Sequence, residues 1–515
     1  MEFPFLSVIT LTPAIVGAII LMLPADRKNE IRVLALAGGA ISLALSVYVY
    51  FGYDIALAAS DPAFQYQFVE KYRWLSVGPL NIDYHVGIDG ISAPMVLLTG
   101  LVMFTGVLIS WGIEDRTREF FAFLFILASG VFGVFVALDL FHLFFFYEIA
   151  VFPMYLLIAM WGWVKTREYA AMKLTLYLFI GSVIALIGAL AMFWVSGLNT
   201  FDMLVMQEQA NFSKEFQDIV FPFVFFGFAV LAGIFPFHNW SPVGHVAAPT
   251  AVSMFHAGVL MKLGAFAALR VGIMLLPEGA TTWMPLIVLL TVVNVVYGAF
   301  IAMIQQDLKY IIGYSSVSHM GLVSMGFATL NPLGMTGATL QMFSHGVMTA
   351  LFFACVGMVY DRAHTRQLPE LGGMVKKMPW VAVAFIIGGL TSMGMPGFPG
   401  FIAELPIFMG LWDAANTLKD NVIPATPYYA VIAIVSIVSV VTTAAYVLLA
   451  IRKAFFGEIS EEHDHHVDDV TPLDKLALVI MSFVLIALGV FPPWMVPLVS
   501  SGVEYVMNVI RGGVG

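Results

Sequence analysis

Leu138-Asp-Leu-Phe-His-Leu-Phe-Phe-Phe-Tyr-Glu-Ile-Ala-Val-Phe-Pro-Met-Tyr-Leu-Leu157 decides the fold. Its length is about the 20 residues that cross a bilayer as helix. It is apolar nearly throughout, yet Glu148 stands at its centre. A carboxylate at that depth costs about 2.5–3.5 kcal/mol on insertion scales, so a chain that keeps one uses it. Lys173, Lys262, His319, His345 and Glu404 also fall inside apolar stretches. Ionisable groups repeated over many spans point to a proton path through an all-α, polytopic membrane protein.

The composition agrees. The 515 residues are 60% hydrophobic and only 11% charged, with a mean hydropathy of +0.93. A soluble domain carries about 25% charged residues. About fourteen stretches reach spanning length, near 6–24, 32–51, 88–111, 119–137, 140–162, 172–195, 220–237, 249–275, 282–304, 308–329, 334–359, 381–412, 425–451 and 475–495. The first lacks a basic leader and reads as a retained helix. The polar insert 52–84 is too short for a large core, so 1–515 reads as one membrane domain. The tail after Phe491 fits a segment along the membrane surface. The net charge of −10 argues against nucleic acid as a partner. Cys355 is the single cysteine, which excludes an intramolecular disulfide, an iron–sulfur cluster and a cysteine zinc site. Fifteen Lys and Arg fall in loops after odd-numbered spans and five in the others. Basic loops stay cytoplasmic, which predicts both termini outside and the 455–473 loop inside.

Two spans contain helix breakers. One reads Ile234-Phe-Pro-Phe-His-Asn-Trp-Ser-Pro242, the other Met393-Gly-Met-Pro-Gly-Phe-Pro-Gly-Phe401. Proline removes a backbone donor and clashes with the preceding turn. Freed carbonyls at membrane depth need protein or water partners, so broken helices recur at ion and substrate sites. A plain kink is the other reading. His238 and His245 follow or lie in the first break, and Glu404 follows the second.

Lys262 lies well inside its span, in Ala257-Gly-Val-Leu-Met-Lys-Leu-Gly, where it suits a relay rather than snorkelling. Lys173 sits close enough to a helix end to snorkel. His319, in Tyr314-Ser-Ser-Val-Ser-His-Met-Gly321, and His345, in Gln341-Met-Phe-Ser-His-Gly346, have hydroxyl neighbours. Histidine passes protons through either ring nitrogen, although a lone buried histidine is more often a satisfied core residue. His142 is placed near the outer membrane surface. The tract Glu461-Glu-His-Asp-His-His-Val-Asp-Asp469 has metal-binding residue types but reads as a solvated loop. No Walker motif, nucleotide-binding glycine loop or nucleophile–base pair is visible, and no cofactor is expected in this chain.

Phe144-Phe-Phe-Tyr-Glu148, His245-Val-Ala-Ala-Pro-Thr-Ala-Val-Ser253, Gln306-Asp-Leu-Lys309, the His319 segment and Gly394-Met-Pro-Gly-Phe-Pro-Gly-Phe-Ile-Ala-Glu404 together resemble the antiporter-like membrane subunits of respiratory complex I. The resemblance runs from about Gly87 to Gly457. It implies about fourteen helices with two inverted five-helix repeats, at 119–275 and 282–452, each with a broken helix, and a C-terminal helix and tail at 475–515. It implies a coupling glutamate at Glu148, a central relay lysine at Lys262, path histidines at His319 and His345, and a terminal glutamate at Glu404. It further implies a subunit of a proton-translocating NADH:quinone oxidoreductase in the cytoplasmic membrane. That subunit would contact neighbouring antiporter-like subunits and the lipid bilayer, with NADH, FMN, iron–sulfur clusters and quinone in partner subunits. Multisubunit cation/proton antiporters and membrane-bound hydrogenases have similar large subunits.

The sequence departs from the family at one telling place. Leu231 stands where the family has the lysine partner of the coupling glutamate, in Phe228-Ala-Val-Leu-Ala-Gly-Ile-Phe-Pro236. His256 appears one helix later, where the family is usually apolar. One reading gives His256 the missing positive charge opposite Glu148. The other is a structural subunit with impaired conduction, which Glu148, Lys262 and Glu404 oppose.

Overall fold

The computed structural model describes residues 3–77, 80–417, 425–459 and 467–513. The chain opens with α1 (Phe5–Met22), α2 (Lys28–Gly52), a short α3 (Ile55–Ser60) and a hairpin of β1 (Gln67–Val77) and β2 (Leu80–Ile88). Then come α4 (Ser92–Ile109), α5 (Thr117–Val136), α6 (Leu140–Trp161), α7 (Arg167–Ser196) and the short α8 (Met203–Gln209). The first broken helix is α9 (Lys214–Ala232) with α10 (Trp240–Ala247). The next span joins α11 (Thr250–Phe255) and α12 (Met261–Ala267) through a π-turn, His256–Leu260, and ends in a second, Ala268–Ile273. α13 (Pro277–Ile304), α14 (Leu308–Ala328) and α15 (Pro332–Ala363) follow. The second broken helix is α16 (Pro379–Ser392) with α17 (Pro399–Thr417); α18 (Ala425–Phe455), α19 (Pro472–Val490) and α20 (Val496–Gly513) close the chain.

Twelve described helices are long and apolar enough to cross a membrane. The other two of the fourteen stretches read from sequence, at α14 and at the pair α16–α17, are helical but are not among those twelve. The stretch 381–412 is interrupted at its expected breakers: the helix stops at Ser392 and restarts at Pro399, because Gly394 and Gly397 take left-handed backbone between them, φ +63° and +90°. The insert after Gly52 contains a hairpin, in which β1 and β2 pair antiparallel with Tyr72 opposite Tyr84. This hairpin is tied to the bundle. The Glu70 carboxylate accepts the amides of Leu6 at 2.7 Å and Ser7 at 3.2 Å, satisfying orphan donors at the start of α1.

The first break is closed by tertiary contacts. Gly233, at φ +73°, ends α9. Asn294 on α13 then serves both polar groups of the gap: its amide donates to the Gly233 carbonyl at 2.8 Å, and its oxygen accepts the Phe235 amide. Trp240 donates to the Val230 carbonyl at 2.9 Å. Backbone that leaves the helix inside a membrane is thus satisfied by protein.

α15 is the central column, buried along its whole apolar window, and touches α4, α11, α14, α16, α17, α19 and α20. α7 and α18 are outer helices. Ile180 and Trp194 on one, and Val438 and Val441 on the other, are exposed apolar side chains suited to lipid. The π-turn His256–Leu260 crosses α15 at a glycine pair. A Cβ on Gly346 would lie 2.7 Å from the Gly258 carbonyl oxygen, so only glycine allows this approach. α20 lays Val499, Val503 and Val506 inward and packs on α3, α13 and α15.

Candidate functional site

The glycine crossing brings Lys262 against His345. Lys262 is fully buried, and its amine lies 2.7 Å from His345 Nδ1. The amine also donates to the Ala257 carbonyl. That carbonyl lies in the π-turn, whose wider i→i+5 pattern disturbs the ordinary helical ladder. No described carboxylate forms an ion pair with Lys262. An ammonium there donates to His345; a neutral amine accepts from it. The pair can therefore hold a proton on either partner.

His345 faces His319 on α14, with ring centroids 5.3 Å apart. His319 Nδ1 has two partners: Glu404 Oε1 at 3.3 Å and the Gln341 amide nitrogen at 3.1 Å. Gln341 also donates to Glu404 Oε1 at 3.3 Å. With Nδ1 bare, the ring accepts from Gln341; with Nδ1 protonated, it donates to Glu404. The far nitrogen, Nε2, lies 3.1 Å from Ser392 Oγ. Glu404 is held close to the second break: a Cβ on Gly394 would lie 2.9 Å from its Oε2. Lys262, His345, His319 and Glu404 thus form one buried line across α12, α15, α14 and α17.

The first half of the chain is arranged differently. His256 is buried, with neither ring nitrogen bonded. It stacks on Trp240 with centroids 5.1 Å apart and lies 4.1 Å from the His245 ring. His245 Nε2 is 2.9 Å from Ser241 Oγ. Leu231 is fully buried. Glu148 is not among these groups. It is exposed on the flank of α6, in an apolar groove of about 710 Å³ lined by Phe144, Phe145, Phe152 and Leu186. Phe144 and Tyr147 meet Phe228 at 5.5 Å and 6.2 Å between rings, so the α6–α9 contact is aromatic.

Lys173 and His238 form a separate group at the first break. The Lys173 amine donates to Asn239 Oδ1 at 3.1 Å, and His238 is packed between Phe235 and Tyr297. His142, in the first turn of α6, is fully buried, with its ring between Tyr84 and Phe146. The hairpin covers it, which a span boundary alone cannot reveal. Lys309, counted from sequence as a loop charge, is also buried; its amine donates to the Ala248 carbonyl at 2.8 Å. Residues 461–466 of the acidic–histidine tract lie outside the described residues.

Sequence reasoning missed several polar partners. Gln341 and Ser392 join the line because α15 and the end of α16 bring them to His319. Arg270 pairs with the fully buried Asp89 and donates to the Tyr66 hydroxyl at 3.2 Å. Asn294 closes the first break. A polar residue amid apolar neighbours was the available signal for each.

Residues 137–419 match the family described as "NADH:quinone oxidoreductase/Mrp antiporter, TM". The chain is 33% identical to NADH-quinone oxidoreductase subunit M of Rhodobacter capsulatus, over 99% of this chain and 98% of that one. It is 38% identical to NAD(P)H-quinone oxidoreductase chain 4 3 of a Picosynechococcus species, over 88% and 80%. Among solved structures, a chain of respiratory complex I from Thermus thermophilus superposes with a TM-score of 0.84 at 26% identity, covering 97% of this chain and 99% of that one. A chain of the Mrp complex of a Dietzia species reaches 0.83 at 19% identity, covering 100% of each, which shows a shared fold.

Proposed function

Because this chain belongs to the membrane-subunit family of NADH:quinone oxidoreductases and Mrp antiporters, we propose that it is the subunit M-type, proton-translocating subunit of a complex I. Quinone reduction elsewhere in the assembly drives it. The line Lys262–His345–His319–Glu404 carries the reading, since it supplies adjoining groups that exchange protons between helices distant in sequence. Moving one charge against 100 mV takes about 2.3 kcal/mol, a scale a buried amine and carboxylate can store and release. NADH, FMN, iron–sulfur clusters and quinone belong to partner subunits in this proposal.

Glu148 acts as the coupling group, exposed to a neighbouring antiporter-like subunit that fills its apolar groove. A charge in that neighbour then biases Glu148, and through it the buried groups. Lys173, His238, His245 and His256 extend the path in the first half. The complex lies in the cytoplasmic membrane with both termini outside, as the basic loops direct.

The decisive measurement is proton movement per quinone reduced in sealed vesicles holding the intact complex. Lys262→Ala should assemble and lower that ratio at least twofold. A wild-type ratio in the assembled variant refutes the relay. Leu231 supports a second reading: the first half contributes structure and coupling but does not conduct. On that reading His256→Leu leaves the ratio unchanged, whereas a conducting first half loses part of it.

A further inference from the structure

Asn294 stands on α13, buried, and outside every group to which the relay has been assigned. Its carboxamide meets three backbone groups from other elements. Nδ2 donates to the Gly233 carbonyl at 2.8 Å and reaches the Val317 carbonyl of α14 at 3.4 Å, while Oδ1 accepts the Phe235 amide. Gly233 and Phe235 lie in the gap between α9 and α10. Val317 lies two residues before His319. One side chain therefore joins the first break to the helix that carries the middle of the buried line.

The two breaks are closed differently. At the second, Gly394 donates to the Thr391 carbonyl and Met395 to that of Leu390, within their own helix. At the first, Gly233 and Ile234 donate likewise to Val230 and Ala229. The Gly233 carbonyl and the Phe235 amide, however, go to a residue 61 and 59 positions away. Only one orientation of the carboxamide serves both, because its oxygen accepts and its nitrogen donates. α14 makes room for it: a Cβ on Gly321 would lie 2.6 Å from the Asn294 Cβ. One residue on, Ser318 donates to the Val295 carbonyl at 2.8 Å, so α13 and α14 are bonded twice at this level. Beyond the gap, α10 carries Trp240 and His245, the two rings against which His256 lies.

We propose that Asn294 is the positioning residue of the first break: by clipping the gap to α14 it sets where Trp240 and His245 stand against His256, and ties that group to the helix of His319. This rests on the proposed proton translocation and goes beyond it, since Asn294 acts through other groups and passes no proton itself. A carboxamide suits the task because it donates and accepts at once and carries no charge. Backbone polar groups at membrane depth must be satisfied by protein or water. With the clip lost, the freed Gly233 carbonyl and Phe235 amide find new partners only if the gap rearranges. Trp240 and His245 then move with α10, and the contact of 4.1 Å between the His245 and His256 rings opens.

Asn294→Leu keeps the bulk and removes both bonds. Asn294→Asp keeps the shape: its neutral acid accepts from Phe235 and donates to Gly233, whereas its anion only accepts. Two readouts on the intact complex in sealed vesicles decide. One is protons moved per quinone reduced; the other is deuterium uptake by the peptide that contains Gly233 and Phe235. Each is taken relative to wild type at the same pH, so that titration of His238, Tyr297 and His319 on the neighbouring elements cancels. Asn294→Leu should lower the proton ratio at least twofold and raise the uptake. Asn294→Asp should approach wild type at the acid end, then lose at least twofold in ratio and gain uptake as the pH rises. A role in stability alone reduces the amount of assembled complex without giving that profile. A wild-type ratio in assembled Asn294→Leu, an Asn294→Asp profile that does not change with pH, or a lowered ratio without raised uptake each overturns the proposal. Should Asn294→Leu not assemble, the Asn294→Asp profile decides alone. If Lys262→Ala pumps like wild type while the Asn294→Asp profile bends, the relay fails and the positioning role stands.

Discussion

Asp139 shows how one residue can carry two roles. Its carboxylate caps α6 by accepting the His142 amide at 3.1 Å. Burial lifts that carboxyl to about 7, helped by the nearby Asp202 and Asp83 charges and opposed by the amides it accepts. A free aspartate sits near 3.9. The fold therefore disfavours the ionised acid, and stability falls as pH rises from about 4 to about 7, then levels. Asp202 behaves oppositely. It is also buried, but hydrogen bonds from His85 and Lys71 bring its carboxyl down to about 2, so its contribution is lost only in stronger acid. Asp139→Asn keeps a capping oxygen and removes the charge. Thermal unfolding of the purified protein in detergent should then lose its slope between about pH 4 and 7. An unchanged slope means another group is responsible.

At the scale of elements, the span Thr250–Ile273 is held at both ends of its irregular course. The His256–Leu260 π-turn faces α15. The Ala268–Ile273 π-turn carries Arg270, whose guanidinium pairs with Asp89 at the start of α4. Both groups are almost fully buried. Removing one partner of such a pair strands the other, at a cost of about 3–5 kcal/mol. Arg270→Met should lower stability by that amount, measured by unfolding in detergent. The double variant Arg270→Met, Asp89→Leu should recover much of the loss, because no buried charge remains. A double variant as unstable as the two single losses added would show that shape, not charge, sets the cost.

In the whole molecule, the buried line of Lys262, His345, His319 and Glu404 depends on where helices cross. Lys262 and His345 are 83 residues apart in sequence. They meet because Gly258 and Gly346 let the span and α15 approach closely. A methyl group on Gly346 would lie 2.6 Å from Leu98 Cδ2 and 2.7 Å from the Gly258 oxygen. Overpacking of this kind costs about 1–3 kcal/mol. Gly346→Ala should lower stability by that amount and reduce proton movement per quinone, because it pushes α15 off Lys262. Wild-type values of both would mean that the crossing tolerates a wider gap.

The sequence by itself determined the class of fold, because bilayer crossing is a local demand on length and hydropathy that each span meets alone. It also exposed Glu148, Lys262, His319, His345 and Glu404, since an ionisable group in an apolar run is costly wherever it ends up. Breakers such as Pro236 and Gly394 marked the interrupted helices for the same local reason. The tertiary structure alone decided which of those groups touch. It set Lys262 on His345 and His319 on Glu404, drew in Gln341 and Ser392, and put His256 beside His245 while leaving Glu148 on an outer flank. It also covered His142 with a hairpin and buried Lys309. Hydrogen bonds and ion pairs act over a few ångströms, and contacts that short between distant segments are fixed by helix crossings, for which no single stretch of sequence carries the signal.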